Sequence, residues 1–260
     1  VLDSLAELTR PHYADSISTA LSPACRLCVH LLHAGRYPEL YEVLEAKDDG
    51  SRPEILAEDG HAYELWPFFR DPTLDVPDSC YDMTAWLRPR ARLSAISWKG
   101  PVLELSGRAY IERLGGSPSN TSVVLRKRDI GTELIFPTEA TAAPHRDPAG
   151  DDSAPDRTVA SFSARIDVQT AENEGLLTDG LWDIYARLEQ EGLLLETRLG
   201  GNRDHDVDSD HWLRLVHGTS DVSVATVYHT MNFGNITLDL CPDFNWLTHN
   251  NSCLSFKDGH

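Results

Sequence analysis

Three segments of this chain, Leu103-Glu-Leu-Ser-Gly-Arg-Ala-Tyr-Ile111, Gly180-Leu-Trp-Asp-Ile-Tyr-Ala-Arg-Leu188 and Asn235-Ile-Thr-Leu-Asp-Leu240, place apolar residues mostly at every second position. A half-buried antiparallel strand requires that spacing, because successive side chains point to opposite faces of the sheet. Similar runs, nearly all separated by turns, fill the last two thirds of the chain. They predict strands near residues 87–98, 102–113, 122–128, 133–137, 158–167, 180–190, 193–199, 212–217, 222–228 and 235–240. Lys99-Gly100 and Gln190-Glu-Gly192 supply hairpin connectors. The commonest container for many short antiparallel strands is a β-sandwich. The expected fold class is mainly β, an antiparallel β-sandwich preceded by helices and a short β-hairpin linker.

The first 46 residues read differently. Leu2, Leu5 and Leu8 share one helical face until Pro11 breaks the run. Leu21, Cys25, Cys28, Leu31 and Leu32 recur at three- and four-residue steps, Gly35 supplies a stop, and Pro38 opens a helix through Leu40, Val43 and Leu44. So few residues cannot enclose their own apolar faces, so these helices read as the edge of a domain. Two short strands follow, near 54–57 and 61–66, joined by Glu58-Asp-Gly60. Pro67, Pro72 and Pro77, with Asp71, Asp75 and Asp78, then make an extended connector. The expected organisation is a helical segment over 1–50, a hairpin and proline-rich linker over 51–86, a β-sandwich domain over 87–240, and a polar tail over 241–260. Residues 144–156, rich in Pro and Asp, read as an exposed loop.

Composition removes several functional classes. A chain of 260 residues can bury roughly 70–75% of its unfolded surface and needs no staple. No apolar run approaches the ~20 residues of a membrane span, so an integral membrane protein is not expected. Lys and Arg total 23 against 41 Asp and Glu, a formal charge of -18 that repels a phosphate backbone and argues against a nucleic-acid partner. Five cysteines at irregular spacing describe no disulfide framework, and a reducing cytosol is the expected setting. The opening at Val1, without an initiator methionine or signal-peptide pattern, reads as a piece of a longer protein. The glycosylation triplets at Asn120, Asn235 and Asn250 carry meaning only in a secreted eukaryotic protein.

Few constellations suggest chemistry. Cys25-x-x-Cys28 has the spacing of a zinc or redox pair, but it lies in a helical apolar stripe without a second pair and reads as core thiols. The run from Asp204 to His211 offers hard oxygen and nitrogen donors, with Asp206, Asp208, Asp210 and His211 as candidate ligands for a divalent cation. It lacks the central glycine and terminal glutamate of an EF-hand loop, so a solvated loop between strands is the competing reading. His30 and His33 stand three apart with no carboxylate nearby and read as the polar edge of a packed helix. Trp66, Trp86, Trp98, Trp182 and Trp212 could stack on sugar rings if they shared an exposed face, although aromatic rings of this size more often fill a core. Nothing matches a Ser-His-Asp triad, a phosphate loop or a hydrolase carboxylate pair.

The order of segments nevertheless resembles a known family. Gly35-Arg-Tyr-Pro-Glu-Leu40, Asp49-Gly-Ser-Arg-Pro53, the hairpin ending near Trp66, and Leu87-x-x-Arg90-x-x-Leu93 through Trp98 are similar to the C-terminal part of bacterial family 2 glycosyltransferases. Gly107-Arg-Ala-Tyr-Ile111, Gly180-Leu-Trp-Asp-Ile-Tyr185 and Phe233-Gly-Asn-Ile-Thr-Leu238 resemble later strands of actinobacterial members related to the enzymes that decorate wall teichoic acid. The resemblance implies closing helices, a linker and an immunoglobulin-like domain that mediates self-association. It implies that a divalent metal and a nucleotide sugar are bound by a preceding catalytic domain, so no catalytic or cofactor-binding residue transfers to this chain. The tail from Cys241 departs from the family pattern. The expected function is a non-catalytic accessory and oligomerisation region of an enzyme acting on a cell-envelope glycopolymer, cytoplasmic or peripheral at the inner membrane face. The alternative is a stand-alone carbohydrate-binding β-sandwich module. A third class, a hydrolase or metalloenzyme built on the Asp204–His211 loop, would need carboxylates from elsewhere in the chain.

Overall fold

A computed structural model of the chain describes residues 1–12, 20–50, 52–141, 160–205, 207, 212–217 and 222–241. The chain divides into two compact units. The first holds Val1–Arg88, Arg113–Gly115 and Glu191–Leu193, and the second holds Pro89–Glu112, Gly116–Gln190 and the chain from Leu194 onward. No helix among the described residues is long and apolar enough to cross a membrane.

In the first unit, helices α1 (Leu2–Thr9), α2 (Pro23–His33) and α3 (Tyr37–Asp48) precede a hairpin of β1 (Ile55–Glu58) and β2 (His61–Glu64). The Ser22 hydroxyl accepts the Cys25 N–H at 3.4 Å, and Pro23 sits in the first turn, where its missing N–H costs nothing. Gly35 closes α2 at φ 70°. Asp59 and Gly60 both take left-handed backbone, φ 49° and 80°, as a tight hairpin turn requires. The helical stripe of Leu27, Leu31, Leu40 and Val43 is buried together with Tyr63, Leu74, Val76, Cys80 and Tyr81. The helices, the hairpin and the proline-rich stretch thus enclose one core.

The second unit is built from β3 (Arg88–Lys99, whose first residue falls in the first unit), β4 (Val102–Glu112), β5 (Asn120–Lys127), β6 (Glu133–Thr141) and β7 (Ala160–Asp167). After α4 (Val168–Asn173) come β8 (Gly180–Gln190), β9 (Leu193–Arg198), β10 (Trp212–His217), β11 (Val222–His229) and β12 (Ile236–Cys241). The sheet order is β10-β11-β12-β8-β5-β6-β7-β4-β3, with β9 also on β8. The chain is therefore mainly β, a curled antiparallel sheet of sandwich type preceded by helices and a hairpin.

The curl has a local origin. Residues Glu133 to Pro137 of β6 pair with β5, whereas Thr138 to Thr141 pair with β7. One strand thus serves two layers, as at the corners of packed sheets. The expectation from sequence ended this strand at Pro137, and proline cannot donate to a ladder. The strand instead continues by exchanging its partner immediately after the proline. Leu103, Leu105, Ala109 and Ile111 of β4 point inward with Phe162, Ile166, Trp182, Ile184 and Leu188, giving the buried alternation seen in the sequence. Helix α4 was not anticipated; the Asp167 carboxylate caps it by accepting the Thr170 N–H at 3.0 Å.

A short strap then closes the curl. Leu199 donates to the Ile184 carbonyl and accepts from Ile236, so it lies against β8 and the start of β12. Three residues on, Leu93 of β3 donates to Asn202 at 3.0 Å and accepts from Asp204 at 2.8 Å, a parallel bridge to the edge strand. Gly200 makes the passage possible: at φ 99°, a Cβ would lie 2.6 Å from the Ile236 nitrogen.

Gly107 marks the tightest packing within the sheet. A Cβ there would stand 2.4 Å from the Arg92 carbonyl oxygen and 2.8 Å from the Phe162 ring. Gly107→Ala should lower the unfolding free energy by about 1–3 kcal/mol, measured by urea unfolding at neutral pH.

Candidate functional site

Sheet register decides which side chains meet water. Val124 of β5 is opposite both Ile135 and Tyr185, and Arg126 is opposite both Glu133 and Asp183. These residues share the outer face, whereas Trp182 and Ile184 alternate onto or toward the core side. On that outer face the acids and arginines interleave. Glu133 pairs with Arg126 at 2.5 Å and Arg187 at 2.6 Å, and Glu196 pairs with the same two arginines at 2.6 and 2.5 Å. The guanidiniums of Arg187 and Arg126 beside Glu133 hold its carboxyl below the usual range. The Arg126 guanidinium also lies 4.5 Å from the centre of the Tyr185 ring and that of Arg198 5.3 Å from it.

A second polar knot joins β8, β9 and β12 with Arg128, the residue that follows β5. Asp183, with its side chain only 11% exposed, accepts from Arg128 at 2.6 Å, Arg198 at 3.0 Å and the Thr237 hydroxyl at 3.2 Å. Beyond it on β12, burial pushes the Asp239 carboxyl up, and the charge of Arg128 only partly opposes that rise.

At the far end of the strap, Asp204 is clamped between Arg92 of β3 and Arg108 of β4, at 2.5 and 2.9 Å. Burial raises its carboxyl, but the Ser94 hydroxyl, the Arg108 charge and the Arg92 bond outweigh burial and leave it below the ordinary value. Asp204 is thereby committed to holding the strap. Asp206, Asp208, Asp210 and His211, the candidate cation ligands, lie outside the described residues, as do residues 144–156 of the acidic loop, the Asn250 triplet and the tail from 242. Among the described residues no group of three or more His, Cys, Asp or Glu is placed to hold a metal ion.

The first unit carries its own surface cluster. His61 Nδ1 lies 3.1 Å from Asp82 Oδ2, and the rings of His61, Tyr63, Phe69 and Tyr81 follow one another at centroid spacings of 6.0, 5.6 and 5.1 Å. Arg70 lies over Tyr63 and Phe69 and pairs with Glu58 and Asp78. Phe68 and Arg70 take left-handed backbone, φ 69° and 54°, held by this packing. The cluster is mutually satisfied and reads as a brace for the hairpin.

Other sequence candidates lie in the first unit's helices, His30 and His33 both in α2. Cys25 and Cys28 are half-buried free thiols in α2; burial first, then the neighbouring Cys25, pushes the Cys28 thiol up. Cys80, in the same unit's core, is pushed up to about 11 by burial. A thiol raised in this way, as at Cys28 and Cys80, is a weak nucleophile. His33 Nε2 lies 2.9 Å from the Thr9 hydroxyl, tying α2 to α1, and burial lowers its affinity for a proton. Of the candidate tryptophans, Trp182 is 1% exposed in the sheet core, Trp66 donates to Glu64 in the first unit, Trp86 belongs to that unit as well and Trp98 to the second, and the Trp212 side chain lies outside the described residues. The Arg–Glu lattice was missed at the level of sequence. Its only trace there is that Arg126 and Arg128, and Glu196 and Arg198, stand two residues apart.

The second unit is thus a curled antiparallel sheet of sandwich type whose outer face carries Glu133 and Glu196 paired with arginines. The chain belongs to the family described as TarS beta-glycosyltransferase C-terminal domain 1, which matches residues 84–240. The resemblance to the C-terminal region of a glycosyltransferase therefore holds. Among solved structures, the chain is similar to S. aureus TarS 217-571, with 14% identity and a TM-score of 0.52 over 93% of this chain and 61% of that one. It is also similar to S. aureus TarS, with 15% identity and a TM-score of 0.48 over 93% of this chain and 38% of that one. The chain thus spans less than two thirds of either TarS chain. No curated protein matches it.

Two carboxylates with opposite shifts give opposite pH behaviour. Asp204 titrates lower in the folded chain, so its contribution is complete above the unfolded carboxylate value of ~4 and is lost as pH falls through the folded value. Asp204→Asn should lower stability by about 1–2 kcal/mol at neutral pH, with the gap from wild type closing in acid. Asp239 titrates higher, so its ionisation works against folding as pH rises. Asp239→Asn should raise the urea midpoint at neutral pH and leave it unchanged in acid, read along the same pH series.

Proposed function

We propose that this chain is a non-catalytic C-terminal accessory region of a glycosyltransferase that transfers sugar from a nucleotide donor to a cell-envelope glycopolymer such as wall teichoic acid. The observation that carries this reading is the family match over 84–240, which covers almost the whole sheet-bearing part of the chain. The side chains support it: Glu133, Glu196, Asp183 and Asp204 all accept from arginines, and a carboxylate engaged in that way is a poor general base or metal ligand. The divalent metal and nucleotide sugar belong, on this reading, to the catalytic part of the parent enzyme. That enzyme works in the cytoplasm or at the inner face of the membrane.

The sheet's contribution is geometric. Self-association through this region places several catalytic domains near one repetitive acceptor, and the second encounter then occurs at a high effective concentration without any new chemistry. The test compares the intact parent enzyme with one lacking residues 84–240 on a short acceptor and on a long polymer. The expected result is equal transfer to the short acceptor and at least a ~10-fold loss on dilute long polymer, with no transfer by residues 1–260 alone. Equal loss on both acceptors would overturn the accessory role, and sugar transfer by the isolated chain would overturn its non-catalytic character.

A further inference from the structure

The two methionines of the chain stand at opposite extremes. Met83, in the first unit, is 0% exposed, and its N–H donates to the Ala62 carbonyl at 2.8 Å. Met231, in the loop between β11 and β12, is 98% exposed. That loop is held at its base. Thr230 donates to the Asn235 carbonyl and Gly234 to that of Thr230, both at 2.8 Å, and His229 Nδ1 lies 2.6 Å from the Gly234 carbonyl oxygen. The strap runs so close below it that a Cβ on Gly201 would stand 3.0 Å from the Phe233 carbonyl oxygen. The exposure of Met231 thus belongs to a bonded turn of the folded unit. A thioether needs no ionisation to act as a nucleophile, so its reactivity in a protein follows its exposure. The competing thiols of Cys28 and Cys80 are held back by burial, which pushes Cys80 up to about 11.

From this contrast we infer that Met231 is a reversible oxidation site, taking an oxygen atom from a peroxide and giving it up to a thiol-dependent reductase while the chain stays folded. The sulfur lone pair attacks one peroxide oxygen, the O–O bond breaks, and the other oxygen leaves, with the proton, as water or an alcohol. Sulfur is oxidised by two electrons and the peroxide reduced by two. On return, two thiols become a disulfide, the sulfoxide oxygen leaves as water, and the thioether is restored. The fold tolerates both states because Met231 buries almost no surface, so the added oxygen displaces no packing. The same oxygen on Met83 would put a polar group into a core without a partner. What changes is the chemistry of the tip. Phe233, two residues on, is 77% exposed, so oxidation turns a projection with two apolar side chains into one that is half polar. The oxidation state of Met231 therefore sets how apolar this tip is.

The test is peptide mapping by mass spectrometry of residues 1–260 after timed exposure to dilute hydrogen peroxide, with the same chain unfolded in urea as the reference. In urea the two methionines should oxidise alike. In the folded chain the Met231 peptide should gain one oxygen at close to its rate in urea. The Met83 peptide should do so at least ~100-fold more slowly, because Met83 is reached only when its unit opens. Circular dichroism and Tm of the chain oxidised at Met231 should match those of the reduced chain. The two methionine sulfoxide reductases, one for each sulfoxide epimer, with dithiothreitol should then return the Met231 peptide to its original mass. Protection of Met231 to the level of Met83 would overturn the inference by showing the tip to be covered. Equal rates at both positions in the folded chain would refute the selectivity on which it rests. A fall in Tm on oxidation of Met231, or a sulfoxide that neither reductase removes, would refute reversible oxidation within the folded state.

Discussion

In the second unit everything follows from β6 having two partners. A flat antiparallel sheet would leave one face of every strand in water, and the apolar residues at alternate positions of β4, β5 and β8 would then have nothing to pack against. Because β6 leaves β5 at Pro137 and joins β7 at Thr138, the sheet turns back on itself and those alternating faces bury one another. The residues around Gly107 then set how closely β3, β4 and β7 can approach, and the strap from Leu199 to Asp204 joins the β3 edge to the strands beyond β8. An edge that bonds a strap at its middle offers less ladder to another chain.

Closing the sheet creates a second demand, on its outer face. That face cannot be apolar without inviting collapse of one copy on another, yet a row of like charges across adjacent strands would destabilise it. Interleaving Arg126, Glu133, Arg187 and Glu196 over β5, β6, β8 and β9 meets both conditions, because each charge has opposite charges across the strand. Individual exposed pairs contribute little, but four groups sharing their partners restrict one another's rotamers. The chain's excess of acids makes these arginines valuable, since 23 basic residues must serve 41 acidic ones.

How much of this could be read in the sequence depends on the range of the interaction. Local signals were legible: the Asp59-Gly60 turn, the stop at Gly35, the alternation in β4 and β8, and the strand boundaries where turns intervene. The partner exchange of β6 was not, because Pro137 looks like a terminator when only its own missing donor is considered. Helix α4 was missed because it spans barely two turns and is nucleated by the Asp167 cap rather than by apolar periodicity. The lattice was invisible for a different reason: Arg126 and Glu196 are 70 residues apart, and only the sheet order makes them neighbours. Asp204, the first residue of an acid-rich run, gives no sign in the sequence of its partners Arg92 and Arg108, which lie about a hundred residues away on other strands.

The same reasoning bears on what such a unit contributes to an enzyme. A module that positions other domains must resist bending, and resistance comes from long-range contacts that tie distant parts of the sheet together. The Asp204 clamp joins β3, β4 and the strap; the Asp183 knot joins β8, β9 and β12; the lattice joins β5, β6, β8 and β9. Each is polar and adds side-chain bonds to those of the strand ladders. Asp204, Asp183, Glu133 and Glu196 hold strands together in the folded unit, each through arginines that the sequence places far away.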